Sequence, residues 1–207
     1  AGDAVSGTDY SISGTSITIS SGATSGSVTI TTTDDSVYEG NESINISTSS
    51  ITGDSTYTAS SPSATLTITE NESSPVITMS ASSTSIAENS GSSITLTITS
   101  DQVSDADISI SLSTSGTSTE GTDYAAVSDV TISAGDTSNT ATFTPTDDSS
   151  YEGNETAIID IDSVSGSDAS ESGSQSVTLT ITDNESAPTV ALSTSASSVA
   201  ENGSALT

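Results

Sequence analysis

The sequence predicts an all-β protein of tandem seven-stranded antiparallel β-sandwiches, about 113 residues per repeat. Three observations predict it. Apolar residues alternate strictly with Ser and Thr, as in Ile94-Thr95-Leu96-Thr97-Ile98 and Val177-Thr178-Leu179-Thr180-Ile181. A period of two in β-branched residues marks half-buried strands. Gly, Asp, Asn and Ser clusters separate these segments, and no window carries a helical period. Finally, long blocks return at one offset. Asp34-Asp35-Ser36-Val37-Tyr38-Glu39-Gly40-Asn41-Glu42 reappears as Asp147-Asp148-Ser149-Ser150-Tyr151-Glu152-Gly153-Asn154-Glu155, and Leu66-Thr67-Ile68-Thr69 as Leu179-Thr180-Ile181-Thr182. A repeat this long is a whole domain in tandem.

The complete unit spans 76–185. Strand A is predicted at 76–80, after Pro75, with a continuation to 87. Strand B, at 93–99, carries Ile94, Leu96 and Ile98; strand C, at 107–113, carries Ile108, Ile110 and Leu112. D (129–133) and E (138–145) flank a Gly-Asp turn. F is 156–164, and G, at 176–182, holds Val177, Leu179 and Ile181. In the first copy, the pairs Ile17-Ile19, Val28-Ile30, Ile44-Ile46 and Leu66-Ile68 alternate in the same way. Residues 1–72 match the part of the unit after strand C, and residues 189–207 match only its opening. Linkers at 73–75 and 186–188 end in Pro75 and Pro188, which stiffen them. Such out-of-phase ends fit a window from a longer array, or strand exchange between chains. Head and tail together leave strand B and most of C unfilled, which favours the window.

Composition bounds the function. The chain has 28 acidic residues and no Lys, Arg or His, for a net charge of −28. Self-repulsion on this scale opposes compaction unless cations neutralise it. Nothing here can neutralise phosphates, so nucleic acid and anionic membrane surfaces are excluded as partners. Without Cys there is neither a disulfide nor thiolate chemistry, and without His or Cys no zinc site of the usual kind. A Ser nucleophile would lack its base. No catalytic residue is predicted. No EF-hand loop or Gly-Gly-x-Gly-x-Asp calcium repeat occurs. The six Asn-x-Ser/Thr tripeptides, at Asn41, Asn45, Asn71, Asn154, Asn184 and Asn202, follow from the Ser/Thr bias and are not read as glycan sites.

The recurrent carboxylates converge. In an antiparallel sandwich, successive connections alternate between the two ends. The A–B, C–D and E–F connections and the exit from G therefore share one pole. Glu88 lies in A–B, Asp123 in C–D, and Asp147, Asp148 and Glu152 in E–F; Asp183 and Glu185 leave G. In the first copy Asp9, Asp34, Asp35, Glu39, Glu70 and Glu72 take these places, and Glu201 opens the third. Oxygen donors from several loops suit Ca²⁺, whereas Mg²⁺ prefers few carboxylates and more water. Glu42 and Glu155 are read as capping or solvent-exposed groups in preference to ligands, Asp160 and Asp162 as solvated, and Tyr10, Tyr38, Tyr124 and Tyr151 as packing anchors near the pole.

These residues carry a family resemblance. Gly-Thr-Asp-Tyr, a Gly-Asp turn and Asp-Asp-x-x-Tyr-Glu-Gly-Asn-Glu, with Ala-Glu-Asn upstream and Thr-Ile-Thr-Asp-Asn-Glu closing, resemble the Calx-beta domain. The resemblance implies a seven-stranded sandwich binding Ca²⁺ at one pole. By match, Glu88, Asp123, Asp147, Asp148, Glu152 and Asp183 would be its ligands, with Asp9, Asp34, Asp35 and Glu39 in the partial copy. Bacterial members often form long arrays in secreted adhesins and surface proteins. The expected function is thus a calcium-stiffened segment of an extracellular fibre or adhesin stalk, partnered by neighbouring repeats and other copies in a fibre. Alternatives are an adhesive module gripping a glycan or surface through its Thr ladders, and a calcium-sensing regulatory domain.

Overall fold

The structure is a computed structural model that describes residues 4–53 and 63–203. Its described elements are strands, apart from one 3₁₀ turn at Glu88–Ser90. The first repeat contributes β1 (Tyr10–Ile12), β2 (Ile30–Thr32), β3 (Val37–Tyr38), β4 (Glu42–Ser47) and β5 (Ser63–Ile68). The second contributes β6 (Val76–Ala81), β7 (Ser85–Ala87), β8 (Ile94–Ser100), β9 (Val103–Ser104), β10 (Ile108–Gly116), β11 (Val130–Ile132), β12 (Ser138–Phe143), β13 (Glu155–Ser165), β14 (Ser170–Glu171) and β15 (Ser176–Thr182).

In the second repeat all of these strands but β9 form two sheets, ordered β11-β10-β13-β15-β7 and β12-β8-β6-β14. Strand A switches sheets. β6 pairs with β8 in one layer, and after a break at 82–84 β7 joins β15 in the other. Within these two sheets, two pairings depart from the all-antiparallel expectation: β7 runs parallel to β15, and β14 parallel to β6. Both lie at sheet edges, where a short added segment closes an open ladder. The core is continuous between the layers. Ile77, Leu96, Ile98, Phe143 and Leu179 are fully enclosed, and Tyr124 stacks on Phe143 with ring centroids 4.8 Å apart. Every member of this core lies between Ile77 and Ile181, so the second repeat packs as a unit of its own.

The alternation is reset once. In the β10–β13 ladder the register shifts between Ser111 and Leu112, which face Ser163 and Ile161 and leave Asp162 as an unpaired bulge residue. Inward positions therefore run Ala157, Ile159, Ile161 and then Val164. Asp162 is exposed, and Asp160 is only half-buried.

The first repeat keeps the equivalent pairings but not the enclosure. β4 pairs with β5, Glu42 opposite Ile68, as Glu155 lies opposite Ile181 in the second repeat. Among its described residues only Tyr38 and Ile44 are buried large apolar groups. Ile17-Ile19, expected as a strand, is not one, and both side chains are exposed. The second-repeat counterpart of that segment is β11, held by β10. Among the described residues no strand pairs with 17–19. Residues 189–203 likewise form no strand, and Val190 and Leu192 are fully or almost fully exposed.

Candidate metal centre

The pole forms around one organising carboxylate. Asp183 leaves β15 and accepts the backbone N–H of Glu152 at 2.8 Å, that of Gly153, and that of Glu185 at 2.7 Å. Gly153 stands at φ 76°, a left-handed conformation that turns two successive N–H groups onto one acceptor. Asn154 supports the loop from behind, accepting the Asp183 N–H through its side-chain oxygen at 3.3 Å. The first repeat builds the same device with a longer arm. Glu70 accepts the N–H of Glu39 at 2.6 Å, Gly40 at 2.7 Å, Asn71 at 2.8 Å and Glu72 at 3.0 Å. Gly40 has φ 75°, and Asn41 accepts the Glu70 N–H at 2.9 Å. Burial pushes the Glu70 carboxyl up, but the N–H groups of Glu72, Glu39 and Gly40 outweigh it and hold it at about 2. Asp183 is lowered in the same way, against burial, by the N–H groups of Glu185, Gly153 and Glu152. These two residues shape the loop by accepting hydrogen bonds.

Around this frame carboxylates crowd together. One group is Glu88, Asp147 and Glu185, from the A–B connection, the E–F connection and the exit from β15; one oxygen from each lies within 4.8 Å of the others. A second group, Asp123, Glu152 and Glu155, meets the same limit. Its first-repeat counterpart, Asp9, Glu39 and Glu42, meets it too. Two copies of one sequence pattern thus fold into one constellation twice. Glu42 and Glu155, read from the sequence as capping or exposed groups, belong to these clusters, and Glu42 is buried. The signal that could have found them is period two: each opens its strand with the parity of the inward residues Ile44 and Ala157.

The structure places the other candidates differently. Asp148 accepts the Ser150 N–H at 2.6 Å, and Asp35 the Val37 N–H at 2.8 Å, so both cap the turn of their loop. Asp34 accepts the Asn71 side-chain amide at 3.0 Å, and Glu72 accepts the same amide at 3.4 Å. A cavity of about 30 Å³ lies between them, lined by Asp34, Asp35, Glu39, Glu42, Glu70 and Glu72. Glu201 is exposed and joins no cluster among the described residues. Of the tyrosines, Tyr124 is a core anchor, whereas Tyr151 is 49% exposed.

The electrostatics are those of a site that needs positive charge. Glu88 Oε1 and Glu185 Oε2 are buried and meet no donor. The neighbouring Glu88 carboxylate, then burial and Asp183, push the Glu185 carboxyl up to about 7. Burial, followed by the charges of Asp9, Glu42, Asp35 and Asp105, drives Glu39 to about 7. Glu155 is raised by burial and by Asp123. A chain without basic side chains has no internal counter-charge for such groups. An all-oxygen, carboxylate-rich donor set with orphaned buried oxygens fits a hard divalent cation.

No curated protein matches the chain. Its structure is similar to the crystal structure of the apo-form Calx CBD1 domain, at 20% identity and a TM-score of 0.45, covering 52% of this chain and 97% of that one. It is also similar to the crystal structure of the Calx CBD2 domain, at 14% identity and a TM-score of 0.44, covering 53% of this chain and 86% of that one. A third similar structure is the calcium binding domain CBD12 of CALX1.1, at 19% identity and a TM-score of 0.43, with 51% of this chain and 45% of that one covered. Among the described residues no helix is long and apolar enough to cross a membrane. The family model of the Calx-beta domain matches residues 1–72 and again 70–185, and the chain belongs to that family.

Proposed function

We propose that this chain is a structural, non-catalytic calcium-binding segment of a long extracellular fibre or adhesin stalk, with Ca²⁺ at each acidic pole stiffening the array. The observation that carries the calcium reading is the pair of orphaned oxygens, Glu88 Oε1 and Glu185 Oε2, enclosed beside Asp147. Buried carboxylates facing one another are costly unless something positive stands between them. Glu88, Asp147 and Glu185 would hold one ion, and Asp123, Glu152 and Glu155 a second. Asp9, Glu39 and Glu42 would hold the equivalent ion in the first repeat. Asp183 and Glu70 would keep the loop in shape from behind. The name of the CALX1.1 structure, a calcium binding domain, agrees with this reading.

The stalk role is supported by the tandem copies and by a composition without any Lys or Arg, which leaves no site for trypsin-like proteases outside the cell. The ion of Glu88, Asp147 and Glu185 would draw together the A–B and E–F loops and the exit that leads into the next linker, and the other two would tie the C–D loop to the E–F loop of their repeats. Small-angle scattering and thermal melting of the chain, in excess calcium and then with chelator, test the reading. Calcium should give an extended, stiffer and more stable particle. Identical profiles in both conditions would remove calcium as the organising ion.

A further inference from the structure

The two repeats touch through a specific joint. β3 pairs in parallel with β9, Val37 opposite Val103 and Tyr38 opposite Ser104. The Asp105 N–H donates to the Tyr38 carbonyl at 3.2 Å. The Tyr38 hydroxyl donates to the Asp168 carboxylate at 2.8 Å. Asp105 sits on the B–C turn of the second sandwich and Asp168 on its F–G turn, and the two turns are tied by Ser104 and Ser167 hydroxyls 2.5 Å apart. Both turns belong to the end opposite the second repeat's own acidic pole. Ser167 and Asp168 are left-handed without being glycine, at φ 51° and 49°. Strain of this kind persists where surrounding contacts hold it, and here those contacts include the hydrogen bond to the neighbouring repeat.

The joint orders the first pole. Val37-Tyr38 is a strand with Tyr38 8% exposed, whereas Ser150-Tyr151, the same segment of the second repeat, forms no strand and leaves Tyr151 49% exposed. The residue after Tyr38 is Glu39, a member of the first pole's acidic cluster. Glu39, Asn41, Asp105 and Asp168 all line one cleft of about 430 Å³ between the repeats. Desolvation, opposed by a backbone N–H, and then the charges of Asp9 and Glu70, raise the Asp105 carboxyl, so it feels the first pole across the joint.

We propose that Asp105 supplies a carboxylate, directly or through water, to the cation held by Asp9, Glu39 and Glu42 of the preceding repeat, so that one ion is gripped by both repeats. The inference rests on the calcium reading above. It makes the ion a cross-link between repeats as well as a staple within one, and it couples occupancy of a pole to the docking of the next sandwich. The Tyr38 carbonyl holds the turn that presents Asp105 by accepting the Asp105 N–H, and the Tyr38 hydroxyl anchors the adjoining F–G turn by donating to Asp168.

The test is a calcium titration of the full chain followed by NMR, reading the amides of Gly40 and Gly153, one at each pole. In the wild type both should shift. In Asp105→Asn the Gly40 midpoint should move to about tenfold higher calcium, with the Gly153 midpoint unchanged, and Asp105→Glu should recover part of the loss. A spin-label distance across the joint, measured in chelator, separates ligation from support. Asp105→Asn should leave it unchanged, because the backbone bond to Tyr38 remains, whereas Tyr38→Phe should broaden it. If wild-type Gly40 titrates and Asp105→Asn does not move its midpoint, the inference is overturned and the calcium reading stands. If neither glycine responds in the wild type, the calcium reading itself fails, and the inference with it.

Discussion

At the scale of single residues, the pole is a set of carboxylates divided between two tasks. Asp183 and Glu70 accept backbone hydrogen bonds and stay ionised, while Glu39 and Glu185 are pushed up to about 7. That division has a pH consequence. Between about pH 4.5 and 7 the folded chain keeps protons on Glu39 and Glu185 that the unfolded chain has released. The folded state then binds more protons, so calcium-free stability falls as pH rises through this window. Melting in chelator at pH 5, 6 and 7.5 should show the temperature falling stepwise. With calcium present the ion takes the place of the protons, and stabilisation by calcium should be largest at pH 7.5. Glu88 gives a second prediction. Glu88→Gln replaces a buried, donor-less carboxylate with an amide that can donate to Glu185. Without calcium the variant should be more stable, by about 1 kcal/mol, and the gain in melting temperature on adding calcium should shrink. A variant less stable in chelator would contradict the orphaned-oxygen account.

Elements show where alternation is enough and where it is not. The period-two pattern located the strands of the complete repeat because both layers are present to bury the apolar face. The same pattern at Ile17-Ile19 yields no strand, since a strand needs an edge to pair with. Alternation was also blind to the bulge at Asp162 and to the sheet switch of strand A, each of which depends on a neighbour. Gly116 is a comparable case. It ends β10 at φ 122°, and a Cβ there would lie 2.1 Å from the Thr156 carbonyl oxygen. Gly116→Ala should cost on the order of 3 kcal/mol, read as a lower melting temperature of the second repeat with or without calcium. An unchanged melting temperature would mean that the β10–β13 crossing is looser than its hydrogen bonds from Thr117 and Ser118 to the Thr156 carbonyl indicate.

On the scale of the whole molecule, charge and connectivity decide the behaviour. A net charge of −28 with no basic side chain makes each pole repel itself and its neighbour. Monovalent salt screens that repulsion only weakly at contact distance, because the Debye length is about 8 Å at physiological ionic strength. Sodium chloride alone should therefore stiffen and stabilise the chain less than calcium at a far lower concentration. Scattering and melting in the two salts check this. Equal effects would reduce calcium to a general screening ion.

The sequence by itself determined the fold class, the 113-residue repeat, the strand positions of the complete unit and the pole at which the acidic loops meet. All of these follow from local rules: side-chain parity along a strand, turn residues between strands, and the alternation of connections between two ends. Tertiary structure alone decided how the carboxylates divide their work. Asp183 and Asp148, ligand candidates in the sequence, also accept backbone N–H groups. Glu42 and Glu155, read from the sequence as rim residues in preference to ligands, join the clusters. Only folding shows which oxygens are already satisfied by N–H groups and which are left facing one another. The joint was equally hidden, because Tyr38, Asp105 and Asp168 lie in segments far apart along the chain and meet only when one sandwich docks on the next.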